Sequence, residues 1–159
     1  MELKTQIFPG GFNGAAADGR RGEFDLKNSV IINNDTPVDV VFFGDSITHF
    51  WELNAYFRDF GLVLNRGISG DIVEILKKRF EADVIQLKPK VCVLMIGINN
   101  MGVFDWETPM PVEDLLAFYK KEYGEIMEIA HKHKQKMVLC SVLPINRPIY
   151  TTERNGKRN

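Results

Sequence analysis

Val38-Asp39-Val40-Val41-Phe42-Phe43-Gly44-Asp45-Ser46-Ile47-Thr48 is the stretch on which the fold turns. Val38 to Phe43 is a short run rich in Val and Phe, residue types that fit a buried parallel strand, and Gly44 ends it. Beyond it, Ile47, Phe50, Trp51, Phe57 and Phe60 recur at roughly helical spacing until Gly61 stops the pattern. A strand that feeds a helix without a hairpin turn is the opening of a βαβ unit.

The same alternation continues outward. A second strand is predicted over 62–65, bounded by Gly67 and Gly70. Asp71 with Glu74 three residues on reads as a capping pair, and Ile72, Ile75, Leu76 and Phe80 supply the buried stripe of a helix reaching about Leu87. Pro89 ends that helix. Val91 to Ile96 is apolar at every position, as a strand covered on both faces should be. A helix over 111–133, with Leu115, Tyr119, Tyr123, Ile126 and Ala130 on one side, leads to a fourth strand over 137–143. Strand and helix in strict turn predict an α/β fold: three layers, α/β/α, around a parallel, doubly wound, flavodoxin-like sheet with right-handed crossovers.

Residues 1–36 read differently. Gly10, Gly11, Gly14, Gly19 and Gly22 punctuate a polar segment that follows no strand, so the spacing is not a dinucleotide fingerprint and predicts a surface arm or loop. The expected organisation is therefore an arm over 1–36 and the α/β domain over 37–159.

With 159 residues, 45% apolar and 26% charged, the chain has material for one domain with a real core. A net charge of -1 leaves no basic field for a dedicated nucleic-acid binder. No apolar run approaches the roughly 18 residues of a membrane span, and the N-terminus lacks the basic-then-apolar order of a signal peptide. Cys92 and Cys140 both sit in apolar runs and read as buried free thiols. Together these point to a cytoplasmic, reducing setting, with no metal site and no organic cofactor.

In parallel sheets chemistry gathers outside the carboxyl ends of the strands. Three polar blocks lie there: Gly44-Asp45-Ser46-Ile47-Thr48 after the first strand, Asn65-Arg66-Gly67-Ile68-Ser69-Gly70-Asp71 after the second, and Gly97-Ile98-Asn99-Asn100 after the third. Each alone is a common turn, with Ser46 a plain N-cap, Gly67 a turn glycine and Asn99 a left-handed loop residue. Their joint placement is informative. Ser46 stands at the first turn of a helix, where free N–H groups can stabilise a developing negative charge. Gly67 lets the main chain approach a reacting carbonyl, and the Asn99 amide is a neutral donor. The pattern is not the G-x-S-x-G elbow, because Thr48 occupies its last position.

Together the blocks resemble the SGNH, or GDSL-type, family of esterases and lipases, over roughly residues 38–145. The phrase from Asn65 to Asp71 is similar to bacterial acylhydrolases of the platelet-activating-factor acetylhydrolase type. The resemblance implies an SGNH hydrolase fold with Ser46 as nucleophile and Gly67 and Asn99 in the oxyanion hole. It also implies a late Asp-x-x-His carrying acid and base. That last block is absent: the histidines are His49, His131 and His133, and none has an Asp three residues before it. Neither the catalytic His nor the catalytic Asp is found. The expectation is a C-terminally truncated domain lacking its last strand and helix, with base and acid supplied by sequence beyond residue 159, or else by another chain.

Around the nucleophile, Asp45, His49, Trp51, Asn100 and Met101 are candidate substrate-binding residues, with Phe50, Phe104 and Trp106 as further aromatics for a pocket. Asn100 departs from the family pattern, which has Asp there. The implied function is hydrolysis of small, acetyl-like esters, on carbohydrate as first choice, through an acyl-enzyme on Ser46. Lysophospholipid or thioester cleavage is the alternative within the family. A non-catalytic binding protein on the same scaffold, and a flavin binder of flavodoxin type, are the alternatives outside it. The implied partner is a small-molecule ester, and a homo-oligomer is left open.

Overall fold

The computed structural model describes residues 3–101 and 111–142. Four parallel strands form one sheet in the order β2-β1-β3-β4: β1 is Val40–Gly44, β2 is Val63–Gly67, β3 is Val91–Met95 and β4 is Met137–Leu139. Register sets Gly44 opposite both Gly67 and Met95, so the polar blocks that follow leave three adjacent strands at one level. The polar edge of the sheet is thereby defined.

From the central β1, the chain crosses first to β2 and later to β3, in opposite directions. Right-handed crossovers then require connecting helices on opposite faces. They are found there. Val41 and Phe43 are buried against α4 (Val73–Asp83), in a core that continues through Cys92, Leu94 and Ile96 to Ile126 and Ala130 of α5 (Val112–Lys132). Phe42 faces the other way, with Trp51 at 5.3 Å and Phe57 at 4.8 Å between ring centres. The α/β, doubly wound reading therefore describes the molecule.

Several local expectations are revised. The helix read from Ile47 to Phe60 is broken into α2 (Ser46–His49), α3 (Leu53–Tyr56) and a 3-10 turn over Arg58–Phe60. Asn65 explains the break, since its Nδ2 donates to the carbonyls of Thr48 (2.7 Å) and His49 (3.3 Å), where a continuing helix would place its own N–H groups. Asp71 does not cap α4, because its carboxylate is drawn to Arg79; the Val73 N–H instead finds Asn100 Oδ1 at 2.9 Å. The helix stops at Asp83, short of Leu87, and a 3-10 turn follows. Strand β4 ends at Leu139. Both cysteines are free, with Cys92 buried, but Cys140 only half-buried.

Residues 3–36 do more than trail over the surface. They contain α1 (Asp18–Asn33), whose buried residues are Arg21, Phe24 and Asn28. Phe24 packs with Phe12, Ala17, Ile68 and Ile75, and lies beneath the Arg66 guanidinium at 4.9 Å. The inward face of α1 is two-thirds polar, which hides it from any hydrophobic period. No helix among the described residues is long and apolar enough to cross a membrane.

Candidate active site

Ser46 is the first residue of α2, and Asp45 is its cap: the buried Asp45 carboxylate accepts the Ile47 N–H at 3.0 Å. Burial raises the Asp45 carboxyl above its ordinary value, against the pull of those backbone N–H groups. Asp45 thus shapes the turn that presents Ser46. The Ser46 side chain is half-buried, and among the described residues neither its Oγ nor its N–H has a hydrogen-bond partner. Because α2 has only four residues, the donors that count are individual N–H groups rather than a long helix dipole.

Gly67 is required for a reason the sequence did not disclose. A Cβ there would collide with the backbone of Thr48 and His49, so the glycine lets the end of β2 lie against α2. Its N–H donates to Asn65 Oδ1 at 2.9 Å, and its carbonyl accepts from Arg20 of α1 at 2.9 Å. Asn65 therefore holds the first block to the second with both ends of its amide. A further bond, Ile68 N–H to Gly44 carbonyl at 3.0 Å, runs alongside.

Asn99 and Asn100 lie in a helical turn over 98–101, just past Gly97, whose φ of +133° suits glycine alone. Asn99 Nδ2 donates one hydrogen to the Asp71 carbonyl at 2.8 Å, which fixes the amide plane and leaves its second N–H available. Asn100 is buried between Val73 and Glu74, donating from Nδ2 to Glu74 Oε2 at 3.0 Å. An Asp here would set two carboxylates against each other, so the amide is matched to Glu74.

His49 Nδ1 lies 2.9 Å from Ser69 Oγ and accepts the Ser69 N–H at 3.3 Å; its ring stacks on Phe50 at 4.6 Å. Burial, then the Arg20 charge, lower its pKa, so the ring is neutral at pH 7. No hydrogen bond joins it to Ser46. His131 and His133 lie at the end of α5, where His133 approaches Glu81 at 4.0 Å, and the neighbouring Gln135 reaches the Pro89 carbonyl before β3 begins. That is the amino edge, opposite Ser46. Trp51 packs against Phe42 and Phe57, and Met101 closes the helical turn on the Gly97 carbonyl. Phe104 and Trp106 lie outside the described residues.

The sequence reading overlooked the charged group beneath this edge. Arg79 is fully buried, and so is Asp83; Arg21, Arg66 and Asp71 are nearly so. Asp83 accepts from Arg21 at 2.6 and 2.7 Å and from Arg79 at 2.9 Å. Burial alone would raise the Asp83 carboxyl, but these two cations outweigh it and hold it below the usual range. Asp71 goes the other way, raised by burial despite Arg79. Arg66, pushed down by burial to about 10, donates to Asn28 Oδ1 at 2.8 Å. A sequence signal did exist: Leu76, Arg79, Phe80 and Asp83 share one helical stripe, so two charges stand in an inward face.

Among the described residues no cluster of His, Cys, Asp or Glu could hold a metal ion. The arrangement offers a hydroxyl, an adjacent free N–H and an oriented amide at one edge, the parts of an acyl-transfer site.

The sequence model of the GDSL-like Lipase/Acylhydrolase family matches residues 42–159. The chain is 28% identical over 138 residues to the uncharacterized lipoprotein YqeF of Bacillus subtilis strain 168, covering 76% of this chain and 52% of that protein. It is 48% identical over 50 residues to an acetylxylan esterase of Geobacillus stearothermophilus, covering 31% of this chain and 23% of the relative. Among solved structures, a GDSL-like lipase from Bacteroides thetaiotaomicron VPI-5482 superimposes with a TM-score of 0.63 at 27% identity, over 77% of this chain and 58% of that one. The chain thus spans about half the length, or less, of the curated relatives it matches.

Proposed function

The chain belongs to the GDSL-like lipase/acylhydrolase family, and from that premise we propose that it is the nucleophile-bearing part of a serine esterase acting on small acyl esters. The observation that carries the proposal is the Ser46 hydroxyl and N–H, without a partner among the described residues, at the same strand edge as the Asn99 amide, which Asp71 already orients.

In this reading the Ser46 hydroxyl gives its proton to a histidine base as Oγ attacks the ester carbonyl carbon. The oxyanion takes the Ser46 N–H and the second Asn99 N–H. The Gly67 N–H joins them once it exchanges Asn65 Oδ1 for the oxyanion. Collapse expels the alkoxide, which recovers the proton from the base, and water then releases the acid from Ser46 by the reverse sequence. The base is assigned to an Asp-x-x-His block outside these 159 residues. His49 is not assigned, since its ring is held against Ser69 and Phe50 and makes no hydrogen bond to Ser46.

For the acyl group, acetyl borne on a carbohydrate is the preferred substrate, supported by the similarity to an acetylxylan esterase. A second reading is a binding protein on the esterase scaffold: among the described residues no histidine is hydrogen-bonded to Ser46, and His49, on the same short helix, turns its Nδ1 to Ser69 instead. Hydrolysis of p-nitrophenyl acetate by the natural full-length protein, with Ser46→Ala as control, separates the two. Turnover that disappears in Ser46→Ala supports the esterase; turnover that survives in Ser46→Ala, or none at all, rejects it. Acetylated xylooligosaccharide against lysophospholipid then decides the substrate class.

A further inference from the structure

We infer that Arg79 is a positioning residue of this site, a side chain that ties all three oxyanion donors into a common frame. The inference deepens the esterase reading and rests on it for the identity of the donors.

Its geometry is that of a hub. Arg79 Nη2 donates to the carbonyl of Gly44 at 3.1 Å, and Ser46 stands two residues further on. Nη1 donates to the carbonyl of Arg66 at 2.9 Å, and Gly67 is the next residue. Nε donates to Asp71 Oδ2 at 2.7 Å, and the Asp71 carbonyl is what holds Asn99. Each donor is thus within two residues, or one hydrogen bond, of an Arg79 contact. The Nη1–Asp83 bond and the Phe43 ring, 4.4 Å from the guanidinium carbon, fix the fork from behind. With no exposed surface, the fork has no water to trade for these acceptors.

A planar fork with five N–H donors can span two strand ends and a loop; a lysine ammonium has three donors on one atom and cannot. Charge pairing with Asp83 does not by itself require contact with the strand ends. Arg21 also pairs with Asp83 in the same cluster, yet touches no strand carbonyl of the site. That makes Arg21→Lys the natural control for Arg79→Lys.

The test uses the natural full-length protein, with both variants first brought to matched folded fractions by thermal unfolding. Amide resonances of Ser46 and Gly67 and the Asn99 side-chain amide are then read by NMR, and ester hydrolysis is measured as kcat and KM separately. Arg79→Lys is expected to shift all three sets of resonances and to lower kcat about 100-fold, the scale of an ångström-level misplacement, with KM within about twofold. Arg21→Lys should leave both near wild type. Unmoved resonances in folded Arg79→Lys, or equal shifts in the two variants, would overturn the assignment. Because the resonances need no turnover, an inactive wild type with shifts confined to Arg79→Lys would count against the esterase and still support the hub.

Discussion

The two sides of the sheet are built on different principles. On the β2 side, α1, α4 and the strand ends enclose three arginines, Arg21, Arg66 and Arg79, against three aspartates, Asp25, Asp71 and Asp83. On the β4 side a strand of three residues forms the edge, with Val138 49% and Leu139 50% exposed. Its described polar ties to the rest are scattered along α5 and just past it rather than gathered at the strand ends: Lys77 to Glu122 and Glu125, Gln135 Nε2 to the Pro89 carbonyl at 3.1 Å, and Tyr119 Oη to the Ile96 carbonyl at 2.7 Å. Two of the three chemical blocks lie on the ionic side. The difference teaches where precision is needed: directional bonds fix strand ends to tenths of an ångström, whereas apolar contact fixes only proximity.

The contrast can be broken most severely at Asp83. Asp83→Asn leaves Arg21 and Arg79 short of one buried counter-charge, and should cost about 3 to 5 kcal/mol in urea unfolding. Leu139→Ala, half-exposed on the other side, should stay within about 1 kcal/mol. Similar costs for the two would erase the distinction. A second effect is chemical: Asn99→Ala removes one donor, and kcat should fall by the equivalent of about 2.7 to 4 kcal/mol with the fold retained. Smaller still is Asn100→Asp, which puts a carboxylate against Glu74 and an acceptor where Nδ2 donated. About 1 to 3 kcal/mol of stability should be lost, and Asn100→Asp with Glu74→Gln should recover most of it.

The pH dependence sharpens the same comparison. Because Asp83 titrates lower in the folded protein than its ordinary 3.8, its ion pairs stabilise fully above that pH. Below it the unfolded chain binds the proton first, and stability falls with pH until the folded carboxyl titrates too. The raised Asp71 carboxyl opposes this, its contribution being present below 3.8 and lost as pH rises. Acid unfolding followed by circular dichroism should therefore be shallower in Asp83→Asn. Leu139→Ala should run parallel to wild type.

What was legible in the sequence follows from the same division. Strands β1 and β3 and helix α5 announce themselves because apolar residues fill their inward positions. The placement of Ser46 and Asn99 at strand ends followed from that alone. Helix α1 was invisible, since Arg21 and Asn28 share its buried face with a single Phe24. The ends of α2 and α4 depend on Asn65 and Asn100, which arrive from other elements, so no local pattern records them. Likewise the prior engagement of the Gly67 N–H is a contact between a strand end and its own side chain two residues back, not a property of glycine.

The central claim is that Ser46 is a nucleophile supported by the adjacent blocks, and fluorophosphonate labelling of the natural full-length protein tests it most directly. Peptide mass spectrometry should find one adduct, on Ser46, lost in Ser46→Ala and slowed in Asn99→Ala. A folded protein that takes no label on Ser46, or whose labelling is unchanged by Ser46→Ala, would contradict the claim.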